Sequence, residues 1–182
     1  MRVLMILIAA VAVTPALASD AAEQVNRLPQ VALMDVLDDV GRSTKTTFAV
    51  DYRVDPNIVV GQVKTRGMSF NTLRTVLRNN NLATVVVNDI VTVVPTSTIR
   101  QRAIPLLFAA DTSIHDEQWV TRVMTLRNTD PRPLVPIIRP LLPKEGHLVA
   151  HPESHTLTIV ARYGNVRRLV ELIQTIDQEA QQ

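Results

Sequence analysis

The chain has 182 residues, 46% of them hydrophobic and 20% charged, with 19 basic against 17 acidic side chains. That balance is globular and not disordered, leaves room for one ordinary domain or two small ones, and its formal net charge of +2 does not suggest a nucleic acid or an anionic lipid as partner. Aromatic residues make up 3% and cysteine is absent, so the core is aliphatic, few side chains could stack on a base, and no disulfide contributes to stability.

Met1–Ser19 reads as a secretory signal, with Arg2 as its positive start and Val3–Val13 as its apolar run. Pro15 breaks the run, and Ala16-Leu17-Ala18 makes a small-x-small cleavage site, so that Ala18 and Ser19 flank the cut. An uncleaved anchor would need ~20 apolar residues. The chain is therefore expected to be exported.

Residues 19–97 read as a first α+β module. Val25–Leu28 is expected as a short opening strand. Leu33, Val36, Leu37 and Val40 fall on one helical stripe, which Gly41 is expected to stop as a C-cap. Thr46–Val50 is rich in β-branched and aromatic residues and predicts a strand. A loop over Asp51–Gly61 and a strand over Gln62–Arg66 follow. Ser69 predicts the N-cap of a second helix facing inward through Phe70, Leu73, Val76 and Leu77. Asn79-Asn80-Asn81 ends that helix, since Asn tolerates the left-handed conformation. Thr84–Val87 and Ile90–Val94 form a hairpin around Asn88-Asp89, a pair suited to positive φ.

Residues 98–118 read as a linker, polar and acidic, with Ile104–Phe108 as a strand that clips onto one module. Residues 119–182 predict a second module, in the order strand, helix, strand, strand, helix. Val120–Leu126 opens it. Asp130 is the expected N-cap and Pro131 the first helical residue, ahead of an apolar stripe of Leu134, Ile137, Ile138 and Leu141. Pro136 and Pro140 predict a kink or a broken last turn, because interior proline costs ~3 kcal/mol in an α-helix. Gly146 is expected to end it. His147–Ala150 and Thr156–Ala161 read as strands about a turn at Pro152–Ser154. Asn165 is expected to cap a last helix with Val166, Leu169, Leu172, Ile173 and Ile176 inward. Units of about 60–75 residues are marginal alone, so docking on a neighbour is expected on physical grounds.

Two resemblances bear on these modules. The run from Leu33 to Gly41, Val50-Asp51-Tyr52-Arg53-Val54, Gly67-Met68-Ser69 with Leu73 and Leu77, Asn81-Leu82 and the Val91–Pro95 strand end resemble the STN module, the short N-terminal domain of secretins and TonB-dependent signalling receptors. Val123 to Asn128, Leu134 to Leu141 with its two interior prolines, Gly146-His147-Leu148, Thr156-Leu157-Thr158-Ile159 and Asn165 to Asp177 resemble the KH-like, NolW-like N-terminal module of type II secretins, ring-forming outer-membrane gates. The sequence departs at Ala161-Arg162, where an acidic residue is common, and at His155, where Asn is usual. The resemblance implies a structural part in protein secretion, in the vestibule below the gate. It also implies partners: secretin subunits or further copies of the chain in a ring, inner-membrane platform proteins, and secreted substrate. In that family a β-barrel pore follows these modules, whereas this chain ends at Gln182. The expectation is thus a vestibule subunit or half of a split secretin. The alternative is a signalling adaptor that contacts an inner-membrane regulator through the STN module.

No constellation points to chemistry. His147, His151 and His155 recur every four residues, but a turn separates the third, and no Cys or tight carboxylate cluster completes a metal site. Ser113, His115 and Asp116 are neighbours in the linker, where they could not converge on one substrate atom. An RNA clamp of the KH kind needs a Gly-x-x-Gly loop, and Lys144-Glu145-Gly146-His147 lacks it. Neither cofactor nor metal is expected. The candidate contacts to a subunit or partner are Val25 and Arg27 on the first edge strand and Arg139, Arg162, Arg167 and Arg168 in the second module, since a ring needs one patch to meet a different patch.

Overall fold

The computed structural model describes residues 30–111 and 113–180. Val25, Arg27 and the cleavage pair Ala18 and Ser19 lie outside them. The described chain begins with β1 (Gln30–Ala32) and α1 (Leu33–Thr44), followed by β2 (Thr47–Val50) and β3 (Val59–Gln62). Next come α2 (Phe70–Asn79), β4 (Leu82–Val87) and β5 (Ile90–Pro95). β1 and β3 pair antiparallel, while β2, β5 and β4 form a second, three-stranded sheet in that order. β2 runs parallel to β5, and β4–β5 is the hairpin.

The stripe of α1 is buried as its spacing predicts, with Leu33, Val36 and Val40 fully enclosed. The helix does not stop at Gly41. It continues to Thr44 and closes on Lys45 at φ 55°, whose N–H bonds back to Gly41 O. Gly41 serves a different purpose. A Cβ there would lie 2.9 Å from Thr46 O and 3.4 Å from the Phe48 ring, so the bare Cα lets the returning chain pass close. The first N–H groups of α1 are met by Ile58 O and Pro56 O, at 2.9 and 3.3 Å. That anchors the 56–58 loop and delivers Val59–Gln62, not Gln62–Arg66, to the edge of β1. Beyond it, outside the strand, Thr65 donates its hydroxyl to Asp39 at 2.6 Å.

The second helix and the hairpin follow expectation. Ser69 Oγ accepts the Thr72 N–H at 3.1 Å, Asn81 sits at φ 56°, and Asn88 and Asp89 at 47° and 64° form the two-residue turn. Leu73, Val76 and Leu77 of α2 join the α1 stripe with Val60, Leu82 and Val93 in one core.

After a 3-10 turn over Thr96–Gln101 come β6 (Leu106–Leu107), β7 (Trp119–Thr125) and α3 (Leu134–Ile138). β8 (His147–His151), β9 (Thr156–Arg162) and α4 (Tyr163–Glu179) complete the described chain. A four-stranded sheet, β6-β7-β9-β8, results. The short β6 runs parallel to β7, and the other pairs are antiparallel. From β7 onward the order is βαββα, and the fold class is α+β.

Proline shapes α3. Pro136 is its third residue, where no intrahelical N–H is required. Pro140 would leave Pro136 O without its donor, and there the helix tightens into a 3-10 turn over Arg139–Leu141. Three expected caps prove to act elsewhere. Asp130 holds the Arg132 N–H and guanidinium in a turn before α3, which begins at Leu134. Gly146 immediately precedes β8, where a Cβ would meet Pro143 O at 3.0 Å and Val160 O at 3.1 Å. Asn165 lies inside α4 and donates to Leu141 O at 3.3 Å. The inner face of α4 is Val166, Leu169 and Ile173, with Ile176 partly covered and Leu172 exposed.

Candidate assembly interface

The segment between β5 and β7 packs onto both of its neighbouring sheets at its described residues. Ile99 and Trp119, both enclosed, pack with Ala83, Val85 and Val94 of the hairpin and Val160 of β9 in one cluster. Its start is fixed when Arg102 and Arg53 converge on Asp51. The bonded Arg53 N–H, with Arg102, holds the Asp51 carboxyl below the usual range, against the opposing effect of burial.

The segment's end caps a helix. Tyr163 N–H donates to Gln118 O at 2.8 Å and Gly164 N–H to Asp116 O at 2.9 Å. Two of the unsatisfied N–H groups of α4 are thereby met by main chain. A Cβ on Gly164 would stand 3.1 Å from Asp116 Cβ, so the contact needs a glycine or a small shift. Arg167 pairs with Asp116 across the same contact at 3.2 Å.

Charge crosses the seam at Glu117. Its carboxylate meets Arg78 of α2 at 2.8 Å and Arg162 of β9 at 3.2 Å. Arg162 lies 5.1 Å above the Trp119 ring and is mostly covered. Burial pulls the Arg162 pKa down, Glu117 pulls it up, and Arg78 adds to the depression. Among the arginines expected to face a partner, Arg162 is thus engaged within the chain. Arg139, Arg167 and Arg168 are exposed. Arg168 bonds Asn165 Oδ1 at 2.9 Å and, among the described residues, has no carboxylate partner.

At the far end of α4, Asp177 is buried and receives the N–H groups of Arg127, Asn128 and Thr129, each at 2.9 Å. Burial by itself would raise its pKa. The backbone donors outweigh that and hold the carboxyl below its ordinary value. Sequence reasoning missed this clasp. The available signal was an acid four residues beyond Ile173, on the inward stripe of α4.

The histidines do not converge on a shared ion. His147 opens β8 half-buried, its pKa lowered by burial and then by Arg100 and Arg139. His151 Nε2 is 3.1 Å from Thr158 Oγ1, and His155 occupies the left-handed turn position at φ 50°. Among the described residues no three His, Cys, Asp or Glu side chains gather around a metal position. Asp111 accepts both the Ser113 hydroxyl and its N–H, and His115 Nδ1 accepts the Glu117 N–H, so Ser113, His115 and Asp116 share no common target. Seams, capped ends and exposed arginines can position surfaces; they supply no nucleophile–base pair.

Residues 121–182 match the family described as the bacterial type II/III secretion system short domain. Secretin XcpQ of Pseudomonas aeruginosa is 27% identical over 154 residues, 84% of this chain and 22% of the relative. Secretin ExeD of Aeromonas hydrophila is 34% identical over 97 residues, 52% of this chain and 14% of the relative. The chain therefore spans less than a quarter of the length of these relatives. Among solved structures, the Klebsiella pneumoniae type II secretion system outer membrane complex of PulD, PulS and the PulC HR domain contains a chain of the same fold. It aligns with a TM-score of 0.68 at 22% identity, over 82% of this chain and 26% of that one. Residues 121–182 thus match that short domain, and the similarity to secretins runs on beyond it through most of the chain.

Proposed function

We propose that the chain is a structural component of protein secretion across the outer membrane: a vestibule unit of a secretin, exported to the periplasm and stacked with its copies or with other secretin subunits. The observation that carries this reading is the similarity to XcpQ, which extends over 84% of the chain and so includes more than the short domain. The STN-like module before the seam is the surface we assign to inner-membrane platform proteins and secreted substrate. The KH-like module after it is assigned to ring contacts. The Klebsiella pneumoniae complex, in which PulS and the PulC HR domain accompany PulD, supports partners of this class. Docking and spacing are the work in this scheme, without catalysis or a cofactor. A pore supplied by a second chain, the split-secretin arrangement, is one version of it.

The test is recovery of the tagged chain from crosslinked envelopes. The expected result is capture with secretin subunits or platform proteins of a secretion system. Recovery with a sigma-factor regulator and no secretion component would replace the reading by the signalling alternative.

A further inference from the structure

Arg122 is out of place. β7 alternates Val120, Arg122 and Met124 on one face, and Val120 and Met124 belong to the core of the second module. The cross-strand neighbours of Arg122 are Leu107 on β6 and Ile159 on β9, both in that core. Charge at such a position ordinarily has a partner. Here Nη1 is shut off from solvent without a hydrogen-bond partner, and among the described residues no carboxylate forms an ion pair with Arg122.

The side chain lines a groove between the 108–110 segment and α4, with Phe108, Tyr163, Val170, Arg167 and Glu171 around it. Tyr163 Oη accepts the Asp111 N–H at 3.0 Å, which leaves its own hydrogen uncommitted among the described residues. Arg167 is committed to Asp116. The rim is apolar and open at Phe108, which is 70% exposed. β6 is the outer strand, and its far edge carries no strand among the described residues.

We propose that this groove docks an extended segment of a partner protein in which one acidic residue is flanked by large apolar ones. The Asp or Glu side chain meets the unpaired Arg122 guanidinium and the Tyr163 hydroxyl. An adjacent apolar side chain lies on Phe108, and the peptide main chain runs along the open edge of β6. Charge complementarity selects this occupant, because a guanidinium whose Nη1 is shut off from solvent without a partner is satisfied best by a carboxylate. Glu171 on the α4 wall repels a second acid, so the fit is to a single carboxylate and not to an acidic run. The inference stands on this groove alone and does not require the secretin reading.

A random octapeptide library displayed on phage, selected on the whole purified chain, tests it. Enrichment of peptides with one Asp or Glu beside Leu, Ile or Phe is expected. A synthetic copy of the strongest binder should lose affinity roughly tenfold or more when its acid is replaced by the amide. The same loss is expected with Arg122→Gln, checked for folding by circular dichroism. Phe108→Ser, at an exposed position, should weaken binding and leave the fold intact. Absence of acidic enrichment, or equal binding by wild type and both variants, overturns the proposal. Self-association that Arg122→Gln abolishes, without peptide binding, would overturn it in favour of a second copy as occupant.

Discussion

Arg78 on α2 and Arg162 at the end of β9 share one carboxylate, that of Glu117, at 2.8 and 3.2 Å. A cation from a helix and a cation from a strand meet at an anion from the segment between them. Glu117→Ala would leave the mostly covered Arg162 facing Arg78 without compensation. The expected cost is about 1–3 kcal/mol, seen as a lower denaturant midpoint. Arg78→Ala should cost less, because its side chain is 54% exposed and an exposed partner contributes little. Equal losses for the two variants would contradict this.

Trp119 gives that seam an optical reporter, since it is the one tryptophan of the chain. It is 1% exposed, so native emission should be blue-shifted, and opening of the seam should shift it red. Trp119→Ala is expected to cost about 3–5 kcal/mol. If Glu117→Ala loosens the seam, red-shifted emission should appear at denaturant concentrations where circular dichroism is still native.

Asp177 should make the second module acid-sensitive. Its folded pKa is depressed, so its contribution is full above the unfolded value of about 3.9 and is lost as pH falls through the folded value. Asp177→Asn is expected to lower stability at neutral pH by about 1–3 kcal/mol and to make the acid limb of the stability curve shallower. Asp39, Asp51 and Asp130 are depressed as well, Asp130 to about 2 through its bonds with Arg132. The limb should therefore persist in reduced form. Urea titrations from pH 2 to 7 decide it, and an unchanged slope would remove Asp177 from the account.

Gly41→Ala sets two effects against each other. Alanine is the better helix former by about 1 kcal/mol. Its Cβ would press on Thr46 O at 2.9 Å, a backbone atom that cannot swing aside. The clash should prevail, with a net loss of about 1–3 kcal/mol in thermal unfolding.

Arg139 and Arg168 are exposed and unpaired with acid among the described residues. Arg139→Glu and Arg168→Glu should change stability by no more than about 0.5 kcal/mol. If these residues face a neighbouring subunit, the same variants should lower the assembled fraction in sedimentation at low salt. Unaltered assembly would move the subunit contact to another face.

What could be read before the structure was what is local. The stripes of α1, α2 and α4 follow from side chains every three or four residues, and the β4–β5 hairpin from Asn88-Asp89. Pro136 and Pro140 foretold that α3 would break. Distant chain decided the rest. Gly41 looked like a terminator because its real neighbour, Thr46 O, arrives only after the chain has turned. β3 sits three residues early because the 56–58 carbonyls bond the start of α1. Asp130 and Asn165 have the chemistry of caps and use it elsewhere. Glu117 was counted among the acids of a linker, and its value as a joint depends on α2 and β9 meeting there. Arg122 was the most accessible of the misses, since alternation along β7 already placed it inward.

The two main-chain bonds from Asp116 and Gln118 into the first turn of α4 give the seam a mechanical meaning. A load applied to the hairpin sheet reaches α4 in shear, across those bonds and the Arg162–Trp119 stack, instead of being absorbed by slack chain. Displacement of one sheet should therefore be felt at the other as torque on a helix end, and single-molecule pulling should show the seam yielding as a discrete step before either sheet unravels.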